Sequence, residues 1–533
     1  MTVLCYNEAG QQLIRQAMVQ AAEVAAAAEQ AAAAEHVTAA KADTAAAATA
    51  PCTDQATVHR QDKQQQQLQQ QQPPQGLRLR SFSTNMADAA SIVAVLPAHS
   101  LTQLQLTLQN RTSSYVALAT ALAGLSNLQQ LKLSGSAFKG ALASVVQLRH
   151  LTSLDVEDRS VTCAGDSSEV QQPLQQLLAH PLPLQQLRVK GFSLPGDSLL
   201  LDISAQTQLQ DLAIQGQLCE GSLLPAQLQR LYLGSCADTS KRDSFDDDLR
   251  PLDLTQLLQL HQLQHLHLYG SCHDSSLLLR LSQLPRLRHL VLEHWEVHKA
   301  VAAAAAWPQL RQLRELHIGQ RCGVDFREAL RSDMSAVLDG IAACTGLTKL
   351  HVAIGAMNSD EARLFTGVRP RKWDSGWFAG CAKLAGLTGL KQLVIELGSR
   401  LEWEDAGALS TLTGLTLLSL HDAQQGVRDT AAKAIARSLT QLRHLDLAAC
   451  YLGLPCNEED DTYEPGGREC LAAIAQLKQL TYLDVSENAF TNEAVMQLTV
   501  LTRLRMLKAA LLHGLSGEAY SRLEAAMPYA KHC

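Results

Sequence analysis

With 533 residues, of which 46% are hydrophobic but only 4% aromatic and 18% charged, the chain depends on leucine, alanine and valine for its interiors rather than on rings. Aromatic side chains dominate burial in irregular enzyme cores, so this balance argues for aliphatic layers repeated along the sequence. A net charge of −7 provides no positive field for nucleic acid or an anionic membrane surface.

Residues 1–50 are dominated by alanine with glutamate and glutamine, as in AAEVAAAAEQAAAAEHVTAA. Helix propensity is high there and no apolar stripe is wide enough to pack, so the segment is read as helical or disordered. Residues 51–76, with QDKQQQQLQQQQPPQG, bury too little apolar surface to offset ordering entropy and are read as a linker.

From residue 77 to 533 an LxxLxL pattern returns, plainly in LSNLQQLKL, LRHLTSLDV and LTQLRHLDL. The first residue of each closing pair is Leu104, Leu131, Leu154, Leu187, Leu212, Leu231, Leu266, Leu290, Leu316, Leu350, Leu393, Leu418, Leu445 and Leu483. The first intervals are 27, 23, 33 and 25 residues. Degenerate units are expected at each end, at Leu77 and Leu507. Leucines two apart put one strand face inward and leave the other outward. Between them, SSYVALATALAGL, TAAKAIARSL and RECLAAIAQL repeat apolar residues at helical spacing. A strand with one helix encloses no core, so each unit needs stacked neighbours. The stretch before the first clear pair, NMADAASIVAVL, and Leu523 with Met527 after the last are expected to cover the two ends.

The period and the core pattern, continued to its Asn in LTYLDVSENAF, resemble the leucine-rich repeat family, of the ribonuclease-inhibitor-like or cysteine-containing type with irregular insertions. The resemblance implies an α/β horseshoe solenoid of about 14–16 repeats, with a parallel concave β-sheet and convex helices, preceded by an Ala/Gln-rich non-globular segment. The family's bend position, three residues beyond the pair, holds Cys236, Cys450 and Asn488, but also Ser136, Gln217, Ser271, Trp295, Gly355 and Ala423.

The residue between the paired apolar positions projects from the concave face, and the central strands place Tyr232, His267, His317 and His351 there. The next outward position adds Tyr269 and Glu293, and the bend adds Trp295. Aromatic residues on a rigid concave sheet suit protein anchors. The insertion at 355–383 gathers Arg369, Arg371, Lys372, Trp373 and Trp377, either an anchor with a basic rim or a pin onto neighbouring helices.

No phosphate loop, GxSxG or HExxH occurs, and the histidines lack the companions of a zinc site. The expectation is a monomeric, non-catalytic scaffold that binds another protein, with no cofactor, metal, nucleic acid or membrane insertion. Two alternatives come from the resemblance: a substrate receptor of a ubiquitin ligase and a regulator of a small GTPase. No F-box-like apolar module precedes the repeats, and no functional residue of the second group finds a match. The opening lacks a secretory pattern, and thirteen scattered cysteines without CxxC fit reduced thiols. An intracellular, cytoplasmic location is expected, with the cytoskeleton or ciliary axoneme as a further placement.

Overall fold

The computed structural model describes residues 2–5, 79–85, 89–108, 115–135, 141–158, 174–190, 202–215, 223–234, 255–269, 277–293, 304–322, 329–356, 379–396, 401–454, 466–512 and 515–532. The chain divides into two compact units, Met1–Gly216 with Ser222–Pro225, and Gln217–Gly221 with Ala226–Cys533. The leucine repeats expected as one domain run through both.

In the first unit the strands are β1 (Thr2–Cys5), β2 (Ser81–Thr84), β3 (Gln103–Leu108), β4 (Gln130–Gly135), β5 (Ser153–Glu157), β6 (Gln186–Lys190) and β7 (Asp211–Gln215). Each pairs in parallel with the next. Leu104, Leu131, Leu154, Leu187 and Leu212 stand opposite one another, all 2% exposed or less. Leu77, where the first end unit is expected, lies outside the described residues; the strand ahead of β3 is centred on Phe82, which faces Leu104. Its SFST sequence carries an aromatic and a threonine where most other units carry a leucine followed two residues on by Leu, Val or Ile, so the repeat pattern does not reveal it. β1 falls inside the segment whose alanine content suggests helix or disorder. Its TVLC run precedes the alanines and contains apolar and β-branched residues suited to a strand.

The second unit continues with β8 (Arg230–Gly234), β9 (His265–Tyr269), β10 (His289–Glu293), β11 (Glu315–Cys322), β12 (Lys349–Ala356) and β13 (Gln392–Glu396). It ends with β14 (Leu417–Ser419), β15 (His444–Asp446), β16 (Tyr482–Asp484), β17 (Met506–Lys508) and β18 (Lys531–His532). Again each pairs in parallel with its successor. Leu231 through Leu483 keep one register, and Leu507 extends it as expected.

A repeated hydrogen-bond device sets that register. The two amides that enter a strand converge on one carbonyl of the preceding repeat: Thr348 N and Lys349 N on Arg314 O, Lys391 N and Gln392 N on Thr348 O, Thr416 N and Leu417 N on Lys391 O. The threonine hydroxyls of Thr348 and Thr416 donate to the same acceptors, at 3.1 and 3.0 Å. A one-residue slip would break these bonds and turn every leucine outward.

Helices or 3-10 turns lie between many of the strands, and their buried residues join the leucine side. The expected helical stretches form Tyr115–Ala123, Arg428–Ser438 and Arg468–Ile474. The helix Ala89–Ala94 and the turn after it bury Ile92, Val93 and Leu96. At the other end Ser516 caps Gly517–Ala526 through the Ala519 amide, and Leu523 and Met527 are buried as their spacing predicts. Trp307, fully buried, lies against the helix Ala329–Ala342 where a Cβ on Gly340 would come 2.1 Å from its ring, so that position accepts only glycine.

Bend chemistry is strongest late in the second unit. Asn488, 1% exposed, donates to Leu447 O, Val485 O and Ser486 O and accepts from Cys450 N and Leu452 N. Cys450 occupies the equivalent place one repeat earlier and donates its thiol to Leu420 O at 3.1 Å. Gly355, expected at a bend, lies inside β12: β11 and β12 remain paired through Arg321–Gly355 and Cys322–Ala356, so the strands run on. Ser136, Gln217, Cys236, Ser271 and Trp295 lie outside the described residues.

Candidate functional site

Residues between paired leucines turn away from the core, as the alternating burial of β9 and β10 shows. Across β8 to β13 they form one row: Tyr232, His267, Val291, His317, His351 and Val394. The row before it holds Arg230, His265, His289, Glu315, Lys349 and Gln392, and the row after it Gly234, Tyr269, Glu293, Gly319, Ala353 and Glu396.

Parallel strands about 4.8 Å apart bring in-register rings into contact. His265 stacks on His289 at 3.9 Å and His317 on His351 at 4.0 Å, while Tyr232 meets His267 edge-on at 4.4 Å. Carboxylates lie between these rings. Glu315 holds Lys349 at 2.8 Å and His289 at 2.9 Å. Glu293 Oε1 approaches His267 Nε2 and Glu396 Oε1 approaches His351 Nε2, both at 3.4 Å, with geometry that leaves the two buried ring nitrogens without a hydrogen bond.

Burial sets the charge of this surface. Desolvation, with repulsion from His351 and His267, pushes His317 down to about 4 against the pull of Glu293 and Glu396. Desolvation also lowers His267, against the opposing attraction of Glu293. Partial burial raises Glu315, but Lys349 and His289 outweigh it and hold the carboxyl below its ordinary value. The approach of His351, against partial burial, lowers Glu396. Near neutral pH the central face therefore combines the uncharged imidazoles of His267 and His317 with the ionised carboxylates of Glu315 and Glu396.

Of the residues singled out from the sequence, Tyr232, His267, Tyr269, Glu293, His317 and His351 meet on this face. Trp295, Arg369, Arg371, Lys372, Trp373 and Trp377 lie outside the described residues. Sequence reading passed over Glu315, Lys349 and Glu396. Glu315 and Lys349 occupy the position before the leucine pair, and Glu396 the same outward position as Glu293, so the period-two rule that found Glu293 also reaches them.

Among the described residues no group of three or more His, Cys, Asp or Glu is arranged to hold a metal ion. The thiols of Cys344, Cys381, Cys450 and Cys470 are buried. Desolvation pushes Cys344 up to about 12 and the other three well above their ordinary value, which leaves no reactive thiolate there. No helix among the described residues is long and apolar enough to cross a membrane.

No family model and no curated protein matches the sequence. Solved structures do. An internalin from Listeria monocytogenes is 18% identical, with a TM-score of 0.38 over 73% of this chain and 88% of its own. A leucine-rich-repeat protein from Leptospira interrogans is 16% identical, with a TM-score of 0.39 over 84% of this chain and 99% of its own. TLR13, in a complex with ssRNA13, is 17% identical, with a TM-score of 0.47 over 84% of this chain and 64% of its own. At such identities and scores the likeness carries no functional inference, and the fold follows from the chain's own leucine register. Both units have the α/β leucine-rich-repeat fold.

Proposed function

We propose that the chain is a non-catalytic protein-interaction scaffold whose partner docks on the open face of β8 to β13 and on the adjacent loops. The observation that carries this reading is the in-register row of Tyr232, His267, His317 and His351, flanked by Tyr269 and Glu293. Rings held by strands lose little conformational freedom on binding and present both apolar faces and polar edges, as interface anchors do. The loop with Arg369, Arg371, Lys372, Trp373 and Trp377, and Trp295 at its bend, extends the proposed surface. A ribonuclease-inhibitor-like or cysteine-containing subtype is supported by Cys450 and Asn488 at one bend position. We place the protein as an intracellular monomer.

Affinity capture with the full chain tests the reading. A folded Tyr232→Ala/His317→Ala/His351→Ala variant should lose the specific partner, and Trp373→Ala/Trp377→Ala should weaken it. Retention of every specific partner by both folded variants would reject the surface. Recovery of ligase core subunits, or stimulated GTP hydrolysis, would favour the corresponding alternative.

A further inference from the structure

The chain enters each strand of the second unit through five residues that end two positions before the first leucine of the pair. Across β8 to β17 these ten segments, among them LPRLR (284–288), LRQLR (310–314), LTGLK (387–391), LTQLR (439–443) and LTRLR (501–505), hold nine arginines and lysines and no aspartate or glutamate. In a chain of net charge −7 that bias gives one edge of the stack the opposite sign.

The fold does not demand these charges. The closing position of the segment carries Arg288, Arg314, Lys391, Arg443 and Arg505, all exposed. The carbonyls of the first four accept the two amides that enter the next strand, a task that Gln185, Gln229 and Gln264 perform in earlier repeats, so the register needs no cation there. Nor does the chain neutralise them. Among the described residues none of the nine has a carboxylate partner, and the guanidiniums of Arg314 and Arg503 donate to neutral acceptors, Gly346 O and Gln479 Oε1.

Strands about 4.8 Å apart set the backbones of Arg314, Lys391, Arg443 and Arg505, on β11, β13, β15 and β17, about 10 Å from one to the next. A segment in polyproline conformation advances about 9 Å per three-residue turn, so carboxylates three residues apart match that interval. No entry segment contains an aromatic residue on which a base could stack, and the leucines of these segments are buried and offer no wedge to a bilayer.

We propose that the strand-entry edge of the second unit is a docking surface, separate from the open face, for an extended acidic segment of a partner protein, whose carboxylates accept from Arg314, Lys391, Arg443 and Arg505.

Fluorescence anisotropy with the full chain and a labelled peptide of five Glu-Pro-Ser repeats tests this. The peptide should bind at about 50 mM salt and dissociate by about 300 mM, while a Gln-Pro-Ser peptide should not bind. Arg314→Gln/Lys391→Gln/Arg443→Gln/Arg505→Gln should weaken the acidic peptide at least about tenfold. Lys132→Gln/Arg188→Gln/Arg468→Gln/Arg522→Gln, which removes the same charge away from the edge, should weaken it less than about threefold. The open-face variant Tyr232→Ala/His317→Ala/His351→Ala should keep it, so the edge can fail while the open-face reading stands, and the reverse. Absence of binding, equal binding of the uncharged peptide, equal loss in the two charge variants, or loss in the open-face variant overturns the edge assignment. Capture of a uridine 20-mer or phosphatidylserine vesicles in place of the peptide, abolished by the edge variant, would overturn it in favour of nucleic acid or membrane.

Discussion

Strands β9 to β13 and strands β14 to β17 share one leucine register but treat their polar side chains differently. In the later stretch the strands are three residues long, and their polar groups are committed internally. Asp446 accepts from the Ala448 amide at 3.1 Å and the Ser419 hydroxyl at 3.0 Å; Asp484 accepts from the Ser486 amide at 3.1 Å and the Tyr482 hydroxyl at 3.3 Å. In the earlier stretch the strands run to five or eight residues, and the buried ring nitrogens of His267 and His351 have no hydrogen bond. Regularity belongs to the part of the solenoid that satisfies itself. The earlier stretch, with its two unmet ring nitrogens, is the one that carries the proposed surface.

Substitution at the bend gives the sharpest test of that contrast. Asn488→Ala removes five hydrogen bonds from a buried site and strands the Cys450 and Leu452 amides, so it should cost about 3 kcal/mol in denaturant unfolding. His351→Ala, on the open face, should cost about 1 kcal/mol or less while weakening partner binding. Equal destabilisation by the two would erase the distinction between a structural stretch and a binding one. Asp405 joins the stretches: its carboxylate caps the helix Gly380–Leu384 through the Cys381 and Ala382 amides at 2.6 and 3.0 Å. Asp405→Ala should lower stability by about 1–2 kcal/mol, and an unchanged unfolding midpoint would rule out the cap.

Acid should affect the histidine stretch first. His317 titrates near 4 in the fold against 6.5 as its ordinary value, so the unfolded chain takes up its proton first as pH falls. The contribution is complete above pH 6.5 and is lost progressively down to about 4. His267, lowered chiefly by burial, acts in the same direction, and His444 adds a like contribution from β15 in the later stretch. His317→Gln should flatten the fall in unfolding free energy between pH 6.5 and 5. An unaltered slope would assign the acid sensitivity elsewhere.

Most of the architecture was legible in the sequence because a leucine at every second position reports both strand and facing, and fourteen recurrences leave one consistent register. What escaped notice lacks that signal. Phe82 and Thr84 fill a strand without leucine, and TVLC is four residues beside a long alanine tract. Gly355 counted correctly to a bend that the extended pairing of β11 with β12 removes. For the site, period-two reading found which residues face outward but not their cross-strand partners. Those follow once consecutive leucine pairs are stacked in register: with Leu316 beside Leu350, Glu315 stands beside Lys349 whatever the length of chain between the repeats.

The Glu315 bridge marks the lower end of the scale and shows why its neighbours matter more. Glu315 binds Lys349 and His289 on the two flanking strands, and both partners are part-exposed, with side-chain exposures of 45% for Lys349 and 27% for His289. Exposed ion pairs gain little because water competes for both charges. Lys349→Met should therefore change stability by less than about 1 kcal/mol, and the change should shrink at high salt. Denaturant unfolding of Lys349→Met at low and at high salt checks this: a loss well above about 1 kcal/mol, or one that salt leaves unchanged, would mean that the bridge is shielded from water.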